Sequence, residues 1–333
     1  MAQPSYNPSM RPDELWEGKG AKERSLRALL TPLSWLYAFG WQAYLATYSL
    51  GFKRASEPHK PIFCVGSLMV GGSGKSPLTI FIANMILSTG RQVVIGCSGY
   101  GSPHSKDASL APSGPIKASE WGDEPSMFRW LLPDVPLVVG RKRVLAAQLV
   151  HEQYPNAVLV MDDGFQHLPV KKHVKILIDD VQYGNRRCLP AGPLREPISN
   201  RKRADMIIPD DFRVVRGPTK IVDKDGSPVV PREYAVLCAL GQPERFISSL
   251  QTQFPNRIPE PLVVILPDHD PLTSTDLWQS IPNEVPIVVT AKDWVKLRDR
   301  QDVNERHFLI ALQEVRLEPV DEFKTWVERR LNE

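Results

Sequence analysis

The chain has 333 residues, of which 42% are hydrophobic and 24% charged, a composition that excludes a disordered or collagen-like protein and leaves room for two medium domains. With 41 basic against 38 acidic residues the net charge of +3 is too small to imply nucleic-acid binding, and none is expected. Four scattered cysteines (Cys64, Cys97, Cys188, Cys238) without a CxxC pair suggest neither a zinc site nor a disulfide framework, which fits a reducing cytosol.

Residues 1–15 are polar and contain prolines, unlike a secretory leader. Residues 28–52 then carry no formal charge, a length that could in principle cross a bilayer. Pro32, Gln42 and five aromatic side chains (Trp35, Tyr37, Trp41, Tyr44, Tyr48) make a poor span, however, and suit the headgroup zone. Flanking Lys22, Arg24, Arg27, Lys53 and Arg54 would attract anionic lipid. The expected element is a membrane-interfacial helix or helix pair, the other readings being a helix packed on the protein's own core or a true span.

From residue 61 onward, short apolar runs alternate with helical stretches, the pattern of a parallel sheet covered by helices. Strands are expected near residues 62, 92, 136, 157, 175 and 205. The first ends in VGSLMVGGSGKSP, residues 65–77, directly before a helical run. Such a loop cradles phosphates with backbone N–H groups, here those of Gly71, Gly72, Ser73 and Gly74; Lys75 would reach the outer phosphates and Ser76 a magnesium ion. Met69 stands where the strict P-loop pattern has glycine.

Further along, SGYGS (98–102) and WGDEPSMF (121–128) fall at expected strand ends, where ligands of open α/β sheets bind. Either Asp123 or Glu124 could serve as a base, while Asp123 could equally cap the following helix. The run AVLVMDDGFQH places Asp162 and Asp163 at a strand end, as magnesium-binding carboxylates or as a helix cap, and carries Gln166 and His167 toward the site. In LPAGPLREP (189–197), prolines stiffen a loop presenting Arg195 and Glu196; a held arginine suits phosphate recognition or a structural ion pair. After residue 210, FRVVRG, a DKDG turn and PVVPREY suggest a β-hairpin linker. A second α/β unit follows, with strands near 235, 262, 286 and 308, a PDHDP loop carrying His269, and an amphipathic helix over 320–331. The expected division is 1–55 as an N-terminal lead with interfacial helices, 56–210 as a P-loop core, 211–233 as linker and 234–333 as a smaller α/β domain.

Taken in order and spacing, VGGSGKSP, SGYGS, GDEP, DDGFQH, LPAGPLREP, LGQPERF, PDH and VTAKD resemble the tetraacyldisaccharide 4'-kinase family across nearly the whole chain. The resemblance implies a two-domain P-loop kinase that uses ATP and Mg²⁺. Its reaction would move the γ-phosphate to the 4'-hydroxyl of a tetraacyldisaccharide 1-phosphate, forming lipid IVA. The enzyme would act as a monomer, peripherally, on the cytoplasmic face of the inner membrane. It further implies that Asp123 is the base, supported by His269, that Lys75, Ser76, Asp162, Asp163 and Arg195 hold nucleotide and metal, and that Arg143 matches another functional arginine. Departures include Ser98 where the family has an arginine, with Arg186 or Arg187 as possible substitutes, and Ala291 in place of the glutamate of EKD. A membrane-associated ATPase or GTPase switch without a lipid acceptor is the alternative function; it would have no use for a base at Asp123.

Overall fold

A computed structural model describes residues 12–71, 74–179, 184–241, 243–255, 262–268 and 270–333. Gly72, Ser73 and His269 of the expected site lie outside the described residues. The chain opens with helices α1 (Pro12–Glu17) and α2 (Ala21–Ser49). Then come β1 (Ile62–Ser67), α3 (Lys75–Ser88), β2 (Val93–Cys97), β3 (Ser109–Leu110), α4 (Ala118–Trp121) and α5 (Asp123–Leu131). The first unit continues through β4 (Leu137–Val139), α6 (Arg143–Gln153), β5 (Val158–Asp162), β6 (Val174–Ile178) and β7 (Met206–Ile208). The rest of the chain forms β8 (Arg213–Val222), β9 (Ala235–Cys238), α7 (Pro243–Gln253), β10 (Val263–Ile265), β11 (Ile287–Thr290), α8 (Ala291–Leu297), β12 (Phe308–Glu318) and α9 (Val320–Asn332).

The first sheet runs β3-β4-β2-β5-β1-β6-β7, parallel except for the short edge strand β3. All six expected strands form; β3, with only two residues, has no periodicity by which a sequence could announce it. Strand β1 lies near the centre between β5 and β6, and every residue in it is buried. Its side chains alternate: Phe63 and Val65 face a cluster with Leu78, Ile82 and Ile86 of α3, while Ile62 and Cys64 face Ala146, Ala147 and Val150 of α6. Two buried faces explain why these strands read as unbroken apolar runs. The pairing Val65↔Asp162 sets the carboxyl ends of β1 and β5 side by side, so the two loops that follow them meet at one edge.

The second sheet runs β10-β9-β11-β12-β8, with only β8 antiparallel. At the expected hairpin the reversal is short. The DKDG turn forms, with Gly226 at φ 86° and the Asp223 N–H donating to Ser227 O, but the returning arm adds only a Val222–Pro228 bridge and one further bond from Val229 N to Ile221 O. Strand β8 pairs along its length with β12 instead, because PVVPREY is interrupted by Pro228 and Pro231, whereas 308–318 contains no proline and is β-rich. Helix α9, expected with the smaller unit, packs on the first sheet: long β12 carries the chain back, Leu317 enters the first core, and Phe323 stacks on Phe81 at 5.7 Å.

Helix α2 is one continuous helix through Pro32, which sits on its exposed side. One face of α2 packs on the protein through Ser34, Tyr37 and Ala38, while Leu29, Leu33, Trp35, Leu36 and Phe39 are exposed. Among the described residues no helix is long and apolar enough to cross a membrane.

Candidate active site

The loop after β1 needs glycine at two described positions, Gly71 at φ 100° and Gly74 at φ 76°, both in conformations that side chains resist. Lys75 begins α3; its ammonium lies 3.2 Å from Gly71 O and 3.9 Å from Asp163. The Met69 departure has a structural reason. Met69 is buried and bridges Leu194, the Val70 N–H donates to Pro193 O and the Arg195 N–H to Leu68 O, so this stretch zips the LPAGPLREP loop alongside the P-loop. A glycine there would lose the packing with Leu68, Phe165 and Leu194.

Asp162 closes β5 and accepts hydrogen bonds from Ser76 Oγ at 3.0 Å and Thr79 Oγ1 at 2.8 Å, which dock α3 onto the strand end. Asp163 sits at φ 49° and receives Arg195 Nη1 on both oxygens, at 2.8 and 2.9 Å. Neighbouring carboxylates thus have opposite environments. Burial, with added repulsion from Glu124 and Asp163, pushes Asp162 up to about 7. Burial would raise Asp163 too, but Lys75 and Arg195 outweigh it and hold the group below the usual carboxylate range. Arg143, almost wholly buried, donates to the Asp162 carbonyl at 2.7 Å and so supports the strand end rather than a side-chain oxygen.

The DDGFQH loop is held by groups that sequence reasoning undervalued. A Cβ on Gly66 would come within 2.4 Å of Phe165 Cβ, so the glycine lets this loop lie against β1. Gln166 donates to Ser67 O and to Glu196 Oε1, both at 3.0 Å, and thereby ties the end of β1 to the LPAGPLREP loop. Glu196 is fully buried and also accepts from Asn200 and Arg203. Lys172 donates to the carbonyls of Gly164 and His167 at 3.2 and 2.5 Å; burial pulls its amine down to about 8. Thr79, Lys172 and Glu196 have no motif spacing of their own, and only the DDGFQH and LPAGPLREP contexts hinted at the last.

On the other side stands Asp123, the first residue of α5. The cap position belongs to Gly122, at φ 92°, and the helix has no side-chain cap, so the capping alternative for Asp123 does not apply. Its carboxylate lies 3.6 Å from Lys296 Nζ of α8. In SGYGS, Gly99 at φ 61° packs so close to Val139 that a Cβ would meet Cγ1 at 2.1 Å, and the guanidinium standing over exposed Tyr100 is that of Arg141. Among the described residues no group of three or more His, Cys, Asp and Glu forms a metal cage. The oxygens of Ser76 and Asp162 nonetheless suit a hard cation whose shell is completed by water and phosphate.

The sequence of the family described as LpxK, tetraacyldisaccharide-1-P 4'-kinase, matches residues 26–332. The chain belongs to this family. Curated family members named tetraacyldisaccharide 4'-kinase include that of Halorhodospira halophila, 34% identical over 301 residues, covering 87% of this chain and 88% of that protein. The Shewanella woodyi enzyme is 32% identical over 293 residues, covering 83% and 82%. That of Coxiella burnetii is 32% identical over 300 residues, covering 87% of each. A crystal structure of family member LpxK from Aquifex aeolicus in complex with ATP superimposes with a TM-score of 0.78 at 26% identity, covering 92% of this chain and 99% of that one.

Proposed function

We propose that this chain transfers the γ-phosphate of ATP to the 4'-hydroxyl of a tetraacyldisaccharide 1-phosphate, giving lipid IVA. The observation that carries this reading is the meeting of Lys75, Ser76, Asp162 and Arg195-bound Asp163 at the joined ends of β1 and β5, with Asp123 at the start of α5. Phosphoryl transfer needs little covalent help; it needs positioning and neutralisation of charge on the transferring group. Lys75 and the N–H groups of residues 71–74 bind the β- and γ-phosphates, and Arg195 adds a cation at the γ-position. Mg²⁺ held by Ser76 and, directly or through water, by Asp162 and Asp163 would neutralise phosphate charge and keep the triphosphate in line. Asp123 takes the proton from the sugar hydroxyl as its oxygen attacks phosphorus and ADP departs, with His269 supporting the base. Gln166 and Arg143 keep the carboxylate loop in place.

The lipid is met at a membrane surface. Exposed Leu33, Trp35, Leu36 and Phe39 on α2 enter the interface on the cytoplasmic face of the inner membrane, helped by basic Lys22 and Arg24. The opposite face of α2 is tied to the catalytic loops, since Tyr37 Oη donates to Arg195 O at 2.8 Å and Gln42 to Asn200 at 3.1 Å. The enzyme acts as a monomer, with residues 1–55 as membrane lead, 56–210 as kinase core, 211–233 as linker and 234–333 as the smaller unit, whose α9 returns to the core.

Purified protein given ATP, Mg²⁺ and the disaccharide 1-phosphate in detergent micelles should yield a bisphosphorylated lipid. Absence of product in every detergent tried, alongside acceptor-independent ATP hydrolysis that survives Asp123→Ala, would point instead to a nucleotide-driven switch.

A further inference from the structure

Helix α5 belongs to two cores at once. Phe128 packs into the cluster under the first sheet, while Met127, Trp130 and Leu131 pack into the cluster of the second. The residue that opens this helix is Asp123, and what meets it there comes from the smaller unit. Lys296, on α8, has a side chain only 3% exposed, and its ammonium is 3.6 Å from Asp123 Oδ2, 3.4 Å from Asp293 Oδ1 and 2.8 Å from Asp270 O. Three acceptors therefore surround a group with three donors.

Burying an ammonium is costly unless its partners are well placed, and here they are fixed from behind. Fully buried Asp293 accepts from Thr290 Oγ1 at 2.8 Å and from the Ala239 N–H at 3.3 Å, which anchors it to the ends of β11 and β9. Asp270 directly follows His269 in the chain. Nearby, Arg298 donates across the same seam to Ile116 O at 2.6 Å. An unbroken chain of polar contacts thus runs from the second sheet through Asp293 and Lys296 to the carboxylate at the head of α5.

We infer that Lys296 is a positioning residue for phosphoryl transfer: it aims the Asp123 carboxylate and fixes the backbone at Asp270, so that the base is in register only while α8 is docked against α5. This rests on the reading of Asp123 as the base. Among the described residues the polar contacts of Lys296 go to Asp123, Asp293 and Asp270, so its loss should act on turnover and leave nucleotide binding alone.

The test compares Lys296→Met, Lys296→Gln, Asp123→Asn and both double variants in the micelle assay, with melting temperatures taken in parallel. Lys296→Gln keeps a donor for Asp270 O and carries the comparison should Lys296→Met fold poorly. Each Lys296 variant should lower kcat about 100-fold with the KM for ATP unchanged, the scale expected for a misaimed group. In the Asp123→Asn background the Lys296 change should add no further loss, because it acts through a group already removed. Multiplying losses, or a rise in ATP KM without loss of kcat, would show a merely structural role and overturn the inference. Parental kcat in the folded Lys296 variants while Asp123→Asn is impaired would sink the inference alone. Parental kcat in Asp123→Asn would sink the base reading and this inference with it.

Discussion

Thr79→Val offers a direct probe of the carboxylate at the end of β5. Valine keeps the shape of the fully buried threonine but removes the hydroxyl that donates to Asp162 Oδ1 at 2.8 Å. A hydrogen bond to a charged group contributes about 1.5–3 kcal/mol. Ser76 still holds the other oxygen, so the lower end applies, equivalent to about tenfold in an equilibrium constant. If Asp162 serves Mg²⁺, that loss should appear as a roughly tenfold higher Mg²⁺ concentration for half-maximal lipid phosphorylation, within the range for outer partners of metal ligands. Turnover at saturating Mg²⁺ should stay close to the parent's. The donor favours the ionised carboxylate, so its removal pushes Asp162 above about 7, and the Mg²⁺ requirement should worsen as the pH is lowered. The assay is rate against free Mg²⁺ at two pH values, with folding checked by urea titration. A folded Thr79→Val protein with an unaltered Mg²⁺ requirement would refute the reasoning.

Asp162→Asn should change the pH dependence of stability in the absence of metal and nucleotide. Burial pushes the folded group up to about 7 from its ordinary 3.8, so the native state should bind the extra proton and stability should fall as pH rises between these values. The asparagine variant should lose that fall and exceed the parent at about pH 8 in urea denaturation; parallel curves would contradict the buried-charge account. Arg195→Met leaves Asp163 without its two-oxygen contact and removes the cation proposed for the γ-phosphate, so kcat should drop about 100-fold, read in the lipid assay. Replacing Trp35, Leu36 and Phe39 together by serine touches only exposed side chains, so the melting temperature should hold while partition onto anionic liposomes falls at least about tenfold in sedimentation.

Much of the first unit was legible because its strands are buried on both faces and the loops of the candidate site carry their own punctuation. Gly71 and Gly74 are demanded by backbone conformation, and the acidic pair at 162–163 follows a short apolar run that forms a strand buried along its length. Lys172 was illegible because its partners are carbonyls, which every residue has, and Lys296 because its partners lie far away in the chain. The turn at 223–226 was legible, but a turn signal announces reversal and not which strand will pair along the one that enters it. Most of the pairing of β8 went to β12, from Arg213↔Glu318 to Val222↔Ile310.

What the amino-acid order determined by itself was local: an apolar strand into a glycine loop, Lys75 and Ser76 at the start of a helix, two carboxylates at a strand end, and an uncharged aromatic stretch before them all. Such features rest on backbone conformation and on periodicity, which neighbours in sequence set. Tertiary structure alone decided that α2 turns one face to the Arg195 loop and leaves the other bare, that α9 returns to the first core, and that α5 is shared between two cores with Lys296 at its head. These depend on which distant surfaces bury one another, and a buried charge finds its partner only once they do.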